Sequence, residues 1–311
     1  MTHVSFVIPA YREAWNIAFI SHAIRDVMKP LEKQYIYEII FINDGSPDTT
    51  WQEIEKQSRE SDHVRGINLS RNFGKEIALT AGLECARGDL AITLDADGQH
   101  PPEKIPDFLK EWEKWSKIVY NRRPITHGAS RIKRISSRLF YALFNTISDF
   151  KLEPGTTDYR LIDRQVIDAF LQFHEKNRFY RWLIDWLGFD KTCLIFDADP
   201  RRSGKASYHY GKLLKLAINN LTSFSLFPLK LVGYTGLLVT FSSLIILFIQ
   251  FLDKIHVLDF WFSNIGIIVV LNTIMIGIVL MSLGLIGLYI ANIHEEVIGR
   301  PLYIIKEKIN F

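Results

Sequence analysis

Only two cysteines occur in 311 residues, Cys85 and Cys193, far apart and in no CxxC pair. A disulfide framework is therefore not expected, and both read as reduced core thiols. His3, His22, His63, His174 and His209 form no metal-spaced cluster and read as surface or internally satisfied side chains. No internal repeat or low-complexity tract is present. No apolar leader with a small-residue cleavage site precedes the first strand-like run, so the front of the chain is expected to stay in the cytosol. Charge is the most unevenly missing property. From Leu226 to the end there are ten Asp, Glu, Lys or Arg, five of each sign, while the preceding residues carry the other 61 and the whole net charge of +3. Leu231 to Leu252 is 22 residues without a charge, and Phe260 to His294 is 35 more. Each run can cross a hydrocarbon core of about 30 Å at about 1.5 Å per helical residue. Disorder and a purely soluble life are excluded.

The front part alternates short apolar runs with longer amphipathic ones, as a βαβ series requires. Val4 to Pro9, Glu38 to Asn43, Val64 to Leu69 and Leu90 to Leu94 are apolar on both faces and read as buried parallel strands. Trp15 to Met28, Thr49 to Glu60 and Phe73 to Ala86 read as helices between them, with Asp48 capping the second. The expectation is an α/β, doubly wound, mostly parallel sheet. Such a sheet binds ligand at the carboxyl ends of its strands. Those ends hold Tyr11 to Glu13, Asn43 to Ser46, Ser70 to Lys75 and Asp95 to His100.

Between Glu113 and Asp149 there is no acid, while Lys114, Lys117, Arg122, Arg123, Arg131, Lys133, Arg134 and Arg138 supply eight positive charges. An anion or an anionic membrane surface belongs there. From Arg131, apolar positions recur at helical spacing through Ile147, and Tyr210 to Phe227 repeats the pattern, so both read as amphipathic interfacial helices. The two charge-free runs are joined by Asp253 to Asp259, too short for a domain, and form a transmembrane hairpin. Cations on its flanks, against a single Lys254 in the loop, place both termini in the cytosol of a multi-pass inner-membrane protein. Gly284 and Gly287 leave room for close helix approach and hence for a homo-oligomer.

The sharpest motif is Asp95-Ala96-Asp97-Gly98-Gln99-His100-Pro101-Pro102-Glu103, directly after a strand. Carboxylates two apart and an amide oxygen are hard ligands that suit Mg²⁺ or Mn²⁺, although the same residues would also make an Asx-rich turn before a helix. Pro9-Ala10-Tyr11-Arg12-Glu13 and Asn43-Asp44-Gly45-Ser46-Pro47-Asp48 each place an acid or a turn just past a strand. There they can meet a ribose or a base, or serve as structural turns. Trp112, Trp115, Trp182 and Trp186, at helical spacings, read as packing or interfacial residues rather than a sugar platform.

PAYRE, INDGSPD, RNFGKE, LDADGQHPPE, TTDYRL and RRSGKASY, in this order and followed by two apolar spans, resemble the family 2 glycosyltransferases that act on polyprenyl phosphates. Within that family the chain is most similar to the bactoprenol (undecaprenyl-phosphate) glucosyltransferases and more distantly to dolichol-phosphate mannose synthases. The resemblance implies a GT-A domain over residues 1–208, a juxtamembrane helix over 209–228, two spans over 229–294 and a cytosolic C-terminal tail over 295–311. It implies inverting transfer of a single hexose from a nucleotide sugar to a lipid phosphate, with Mg²⁺ or Mn²⁺ and no nucleic-acid partner. It gives Pro9, Tyr11, Glu13, Asp44, Asp95 and Arg201 to the nucleotide sugar, Asp97 and Gln99 to the metal, and Asp158 to the reacting centre. Arg122 and Arg131 fall where phosphate is met. Where the family reads R-x-x-G-x-S-K-Y, this chain has Arg201-Arg202-Ser203-Gly204-Lys205-Ala206-Ser207-Tyr208. Arg202 and Lys205 are its candidates for the charge missing at Ser207.

A phosphate monoester with a second pKa of about 6 is largely ionised in the cytosol. Asp158 can therefore act by orienting the acceptor or sugar, or as a general base. UDP-glucose is the first-choice donor and GDP-mannose the alternative. A processive polysaccharide synthase is disfavoured, because two spans give a polymer no protein-lined path and Arg178 stands where a QxxRW signature has Gln. A silent nucleotide-binding membrane protein is disfavoured by the complete set of acids.

Overall fold

The structure is a computed structural model that describes residues 1–122, 155–176, 178–196, 227–254 and 264–311. The strands are β1 (Thr2–Ala10), β2 (Tyr35–Asn43), β3 (Val64–Leu69), β4 (Leu90–Thr93), β5 (Ile118–Arg122), β6 (Thr156–Asp163), β7 (Lys191–Ile195) and β8 (Ile305–Ile309). The helices are α1 (Ala14–Met28), α2 (Thr50–Glu60), α3 (Lys75–Cys85), α4 (Ile105–Glu113), α5 (Arg164–Leu171), α6 (Tyr180–Trp186), α7 (Phe227–Lys254) and α8 (Asn264–Val297). All eight strands form one sheet in the order β7-β5-β6-β4-β1-β2-β3-β8.

The first four strands and three helices fall where the sequence pattern puts them, and both faces of the sheet are covered. Val4, Phe6 and Ile8 of β1 pack with Ile17, Ile20 and Ile24 of α1 and Phe108 of α4 on one face. Val7, Ile40 and Ile42 pack with Ala78, Leu79 and Leu83 of α3 and Phe170 of α5 on the other. That two-sided burial is why these strands lack an alternating polar face. Asp48 stands one residue before the N-cap of α2, which is Thr49 and not Asp48 as expected; its Oδ1 accepts the Thr50 backbone N–H at 3.2 Å and the Thr50 hydroxyl at 2.6 Å in the turn that leads into the helix.

β3-β2-β1-β4 is the expected parallel core. The rest corrects the expectation, because β4–β6, β5–β6 and β3–β8 are antiparallel and only β5–β7 is parallel. The sheet is mixed. β6 carries Asp158 and Arg160 in its buried interior, so it has none of the apolar continuity by which β1 to β4 are recognised. Arg160, fully buried, is tolerated because Asp185 meets its Nη1 at 3.1 Å.

The C-terminal residues divide between two compact units. Residues Arg300–Phe311 belong to the same compact unit as the sheet, whereas α7 and α8 lie in a second unit. Within that second unit the two helices pack on each other. Among the described residues one segment, Leu271–His294, is long and apolar enough to cross a membrane, with a mean hydropathy of 2.5. Its side chains are not covered by protein: Leu280, Met281 and Ile290 are all exposed. Of the two amphipathic stretches, Arg131 to Ile147 lies outside the described residues, and so does Tyr210 to Phe227 except for Phe227, which opens α7.

α3 approaches the sheet at Gly82, where an added Cβ would stand 2.4 Å from Val7 Cγ1 and 2.6 Å from Ile42 Cδ1. Gly82→Ala is expected to destabilise the unit that holds the sheet by about 1–3 kcal/mol through overpacking, despite the better helix propensity of alanine. Thermal unfolding of the detergent-solubilised protein checks this; an unchanged or raised midpoint would show that the contact yields.

Candidate active site

Three turns at the carboxyl ends of β1, β2 and β3 meet first. Pro9 is buried near the end of β1 and Tyr11 is 41% exposed just beyond it. Arg12 has a positive φ of 59° and lies over the Tyr11 ring at 5.4 Å. A non-glycine residue in that region is strained and persists only when its surroundings fix it. Here the Arg12 N–H donates to Ser46 Oγ at 3.1 Å, and Glu13 N–H donates to Thr50 Oγ1 at 3.1 Å. Glu13, which precedes α1, accepts from Asn16 Nδ2 at 2.6 Å.

Asp44 is buried, with Oδ1 accepting the Phe73 N–H at 2.7 Å and Oδ2 the Gly74 N–H at 2.9 Å. Burial pushes its pKa up, and the two backbone donors oppose that shift. Its neighbour Gly45 has φ +61°, and a Cβ there would stand 2.2 Å from the Arg71 carbonyl carbon. Asp44 and Gly45 therefore clamp the loop Ser70 to Gly74, which opens α3. The nucleotide-facing expectation for Asp44 is thus joined by a structural duty that the sequence pattern did not show.

The loop after β4 carries Asp95, Asp97 and Gln99. Asp97 is buried and its Oδ1 accepts the Gln99 N–H at 3.0 Å, the turn geometry that the sequence also allowed. His100 fixes the loop from beneath. Its Nδ1 accepts the Asp95 N–H at 2.9 Å, and its ring stacks on Tyr159 at 5.1 Å. Burial lowers the His100 pKa and so favours the neutral ring that this acceptor role requires.

The centre is Asp158 in β6, 5% exposed. Its backbone carbonyl accepts from Thr93 Oγ1 at 2.6 Å, and its carboxylate lies between two cations. Lys75 Nζ is 2.5 Å from Asp158 Oδ2 and 2.5 Å from Asp95 Oδ1, so one ammonium bridges both acids. Arg181 of α6 donates from Nε to Asp158 Oδ1 and from Nη2 to Oδ2, the latter at 3.3 Å, and from Nη1 to the Thr156 carbonyl at 2.8 Å. Burial alone would raise the Asp158 pKa, but Lys75 and Arg181 outweigh it and hold the carboxyl well below the usual range. Asp95 is lowered in the same way, with Lys75 overcoming its burial. Nearby Glu76 accepts the Tyr180 N–H at 2.9 Å and is pushed up to about 7, chiefly by burial and then by Asp158. The structure thus brings Asp95, in the loop after β4, and Asp158, in β6, together through one lysine.

A family model for glycosyl transferase family 2 matches residues 5–171. The chain belongs to this family. An uncharacterized glycosyltransferase of Synechocystis is 36% identical over 304 residues, covering 98% of this chain and 95% of that protein. The bactoprenol glucosyl transferase of Shigella phage SfII is 34% identical over 306 residues, covering 98% and 97%. A prophage bactoprenol glucosyl transferase homolog of Escherichia coli K12 is 34% identical over 307 residues, covering 97% and 98%. The protein is a glycosyltransferase.

Of the remaining expected residues, Arg122 ends β5, half-buried opposite Thr156. Arg131, Arg201, Arg202 and Lys205 lie outside the described residues. Two members of the cationic run are paired with acids: Lys114 with Glu111 at 2.8 Å on the surface and the half-buried Lys117 with Asp163 at 3.2 Å. Among the described residues no three His, Cys, Asp or Glu side chains converge to hold a metal ion. The chain therefore offers a partial, all-oxygen set in Asp97 and Gln99, and that fits Mg²⁺ or Mn²⁺, which take one or two protein ligands and complete their shells with substrate phosphates and water. Lys75, Glu76 and Arg181 carried no assigned role in the sequence reading. The signal for Lys75 was its place at a strand-to-helix turn in RNFGKE; Arg181 was visible only as the Arg of an incomplete QxxRW.

Proposed function

We propose that this glycosyltransferase moves a single hexose, glucose from UDP-glucose, onto undecaprenyl phosphate, with inversion at the anomeric carbon. The observation that carries the reading is Asp158, held ionised between Lys75 and Arg181 near the start of β6 and tied through Lys75 to the DADGQ loop. The relatives named as bactoprenol glucosyl transferases, aligned along nearly the whole chain, support the acceptor and the sugar. In this reading Pro9, Tyr11, Glu13 and Asp44 hold the nucleotide. Asp95, with Arg201 or Lys205, faces the diphosphate, and Arg122 and Arg131 meet the acceptor phosphate. A divalent ion on Asp97 and Gln99 supplies charge neutralisation to the leaving nucleotide diphosphate. The acceptor oxygen is already anionic, so a carboxylate with a depressed pKa, a weak base, serves better to orient than to deprotonate.

Membrane attachment follows from the second unit. The exposed apolar surface of α8 favours a span over a soluble core helix. Residues 300–311 return to the sheet that residues 1–122 begin, which supports an even number of crossings in this reading. That supports α7, with its charge-free Leu231 to Leu252, as the second helix of a hairpin. The catalytic unit then faces the cytosol, where Arg123 to Arg138 can meet anionic headgroups at about 1 kcal/mol per cation.

The test is turnover with labelled nucleotide sugars and detergent-solubilised undecaprenyl phosphate, the product read by mass spectrometry. One hexose per lipid with UDP-glucose is expected. Transfer from GDP-mannose alone would correct the donor, chains of sugars would move the enzyme to a processive class, and no transfer from any nucleotide hexose would reject the reading. Asp97→Ala is expected to lower turnover by about 10²-fold or more while leaving the unfolding midpoint near that of wild type. Full wild-type activity in excess EDTA would remove the metal from the mechanism.

A further inference from the structure

After the apolar helix, the segment Tyr303 to Asn310 is bound to the sheet and the helices beside it. β8 runs antiparallel to β3, pairing Gly66 with Ile309, Ile67 with Lys308 and Asn68 with Glu307, and then shifts register to pair Leu69 with Ile305. The shift leaves Lys306 as an extra residue, a bulge that re-aims the start of the strand. One residue earlier, the Ile304 carbonyl accepts the Ser70 N–H at 2.9 Å. Tyr303 and Ile305 pack into the same apolar cluster as Leu69, Leu79, Leu83 and Phe73, and the Tyr303 hydroxyl donates to Glu84 on α3. At the far end, Asn310 Nδ2 donates to the carbonyls of Ser58 at 2.8 Å and Val64 at 2.9 Å.

Ser70 is the first residue of the loop that ends in Gly74 and delivers Lys75 to Asp95 and Asp158. That loop has three attachments. Asp44 holds Phe73 and Gly74, Gly45 packs against Arg71, and Ile304 holds Ser70. The first two come from the β2 turn; the third comes from residues more than 230 positions away in sequence. Without it β3 would become an edge strand, with Ser70 N–H unpaired and one face of Leu69 and Phe73 uncovered.

We propose that Tyr303, Ile304 and Ile305 are positioning residues of the transfer reaction, acting through the loop Ser70 to Gly74 to set Lys75 between Asp95 and Asp158. The inference rests on the reading that Lys75 serves the transfer. It makes the post-membrane segment part of the active-site scaffold and not a trailing end.

A double-mutant cycle in the full, membrane-inserted enzyme tests it. A chain ending at Leu302 is expected to lose about tenfold or more in kcat, and a synthetic peptide of residues Tyr303 to Phe311, added in excess, is expected to restore most of it. The same peptide carrying Ile305→Asp should not. In a Lys75→Met background the truncation should cost less than about threefold further, because two changes acting through one residue are not additive. Equal losses in both backgrounds would overturn the proposal by making the segment merely structural. No loss on truncation would overturn it as well. Should the shortened chain not fold, Asn310→Ala in the intact chain, which loosens the far end of β8, enters the same cycle with the same expected non-additivity. If Lys75→Met alone left turnover at the wild-type level, the failure would lie with the role of Lys75 and the proposal would fall with it.

Discussion

Asp158→Asn is expected to cut turnover by about 10²- to 10⁴-fold while nucleotide binding stays near the wild-type level. The range is that of a group acting in the transition state, and donor binding is spared because the nucleotide is held from the β1 and β2 turns. The carboxylate is ionised across the assay range, since Lys75 and Arg181 hold its pKa below that of an ordinary aspartate. Turnover of wild type between about pH 5 and 8 should therefore show the inflection of the lipid phosphate near pH 6 and none from Asp158, Glu76 at about 7 being the other group able to titrate there, and the variant should keep the lipid inflection at a reduced rate. A wild-type inflection that Asp158→Asn lacks and Glu76→Gln keeps would show that Asp158 titrates as a base. Lost donor affinity would place it in the nucleotide site instead.

The same substitution has a stability signature. A depressed folded pKa means that the carboxylate stabilises the fold above its unfolded value of about 4, and that this contribution drains away as pH falls further. Asn between two cations leaves them without their anion, a loss on the order of 3 kcal/mol for a buried pair, reduced here because Lys75 and Arg181 are each about one-third exposed. The difference in unfolding free energy between wild type and Asp158→Asn should thus be largest near neutral pH and shrink below about pH 4. Denaturant titration at pH 7 and pH 3 measures it, and activity comparisons need the folded fraction from the same experiment.

Lys75→Met is the second large effect. It removes the ammonium shared by Asp95 and Asp158, leaving Asp158 to Arg181 alone and Asp95 without the charge that lowers its pKa. Turnover is expected to fall by about 10²-fold, with the loss in kcat more than in donor KM, because misplacing a reacting group by about 1 Å is sufficient for that. Lys75→Arg should not recover wild-type turnover. The planar guanidinium forms side-by-side contacts with one carboxylate rather than a compact bridge between two. Steady-state kinetics of the two variants decides this; wild-type kcat in Lys75→Met would leave the bridge without a catalytic purpose.

The four parallel strands, their helices and the long apolar helix α8 were legible because each is written locally. β1 to β4 are short apolar runs covered on both faces, and α8 is a long run with no charge until its end. The DADGQ loop and the INDGSPD turn were equally visible as acids at strand ends, and the combination of motifs pointed to the family before any geometry was known. β6 was not legible as a strand. Its interior holds Asp158 and Arg160, and only partners supplied from α3 and α6 make those charges tolerable at such depth. His100 shows the same limit. Its sequence neighbours suggest a turn, whereas its duty of accepting the Asp95 N–H comes from burial against Tyr159.

Composition and pattern by themselves determined a two-part chain, an α/β domain with acids at its strand ends and an apolar region able to enter a membrane, since hydrophobic burial and strand-end turns are decided by residues close together in sequence. Tertiary structure alone decided that Lys75 joins Asp95 to Asp158, that Asp44 anchors a backbone loop, and that residues 303–311 complete the sheet. Each of these depends on contacts between segments tens to hundreds of residues apart. An ion pair or a strand pairing of that kind leaves no periodic trace, because its energy depends on where the fold brings the two partners and not on the spacing between them.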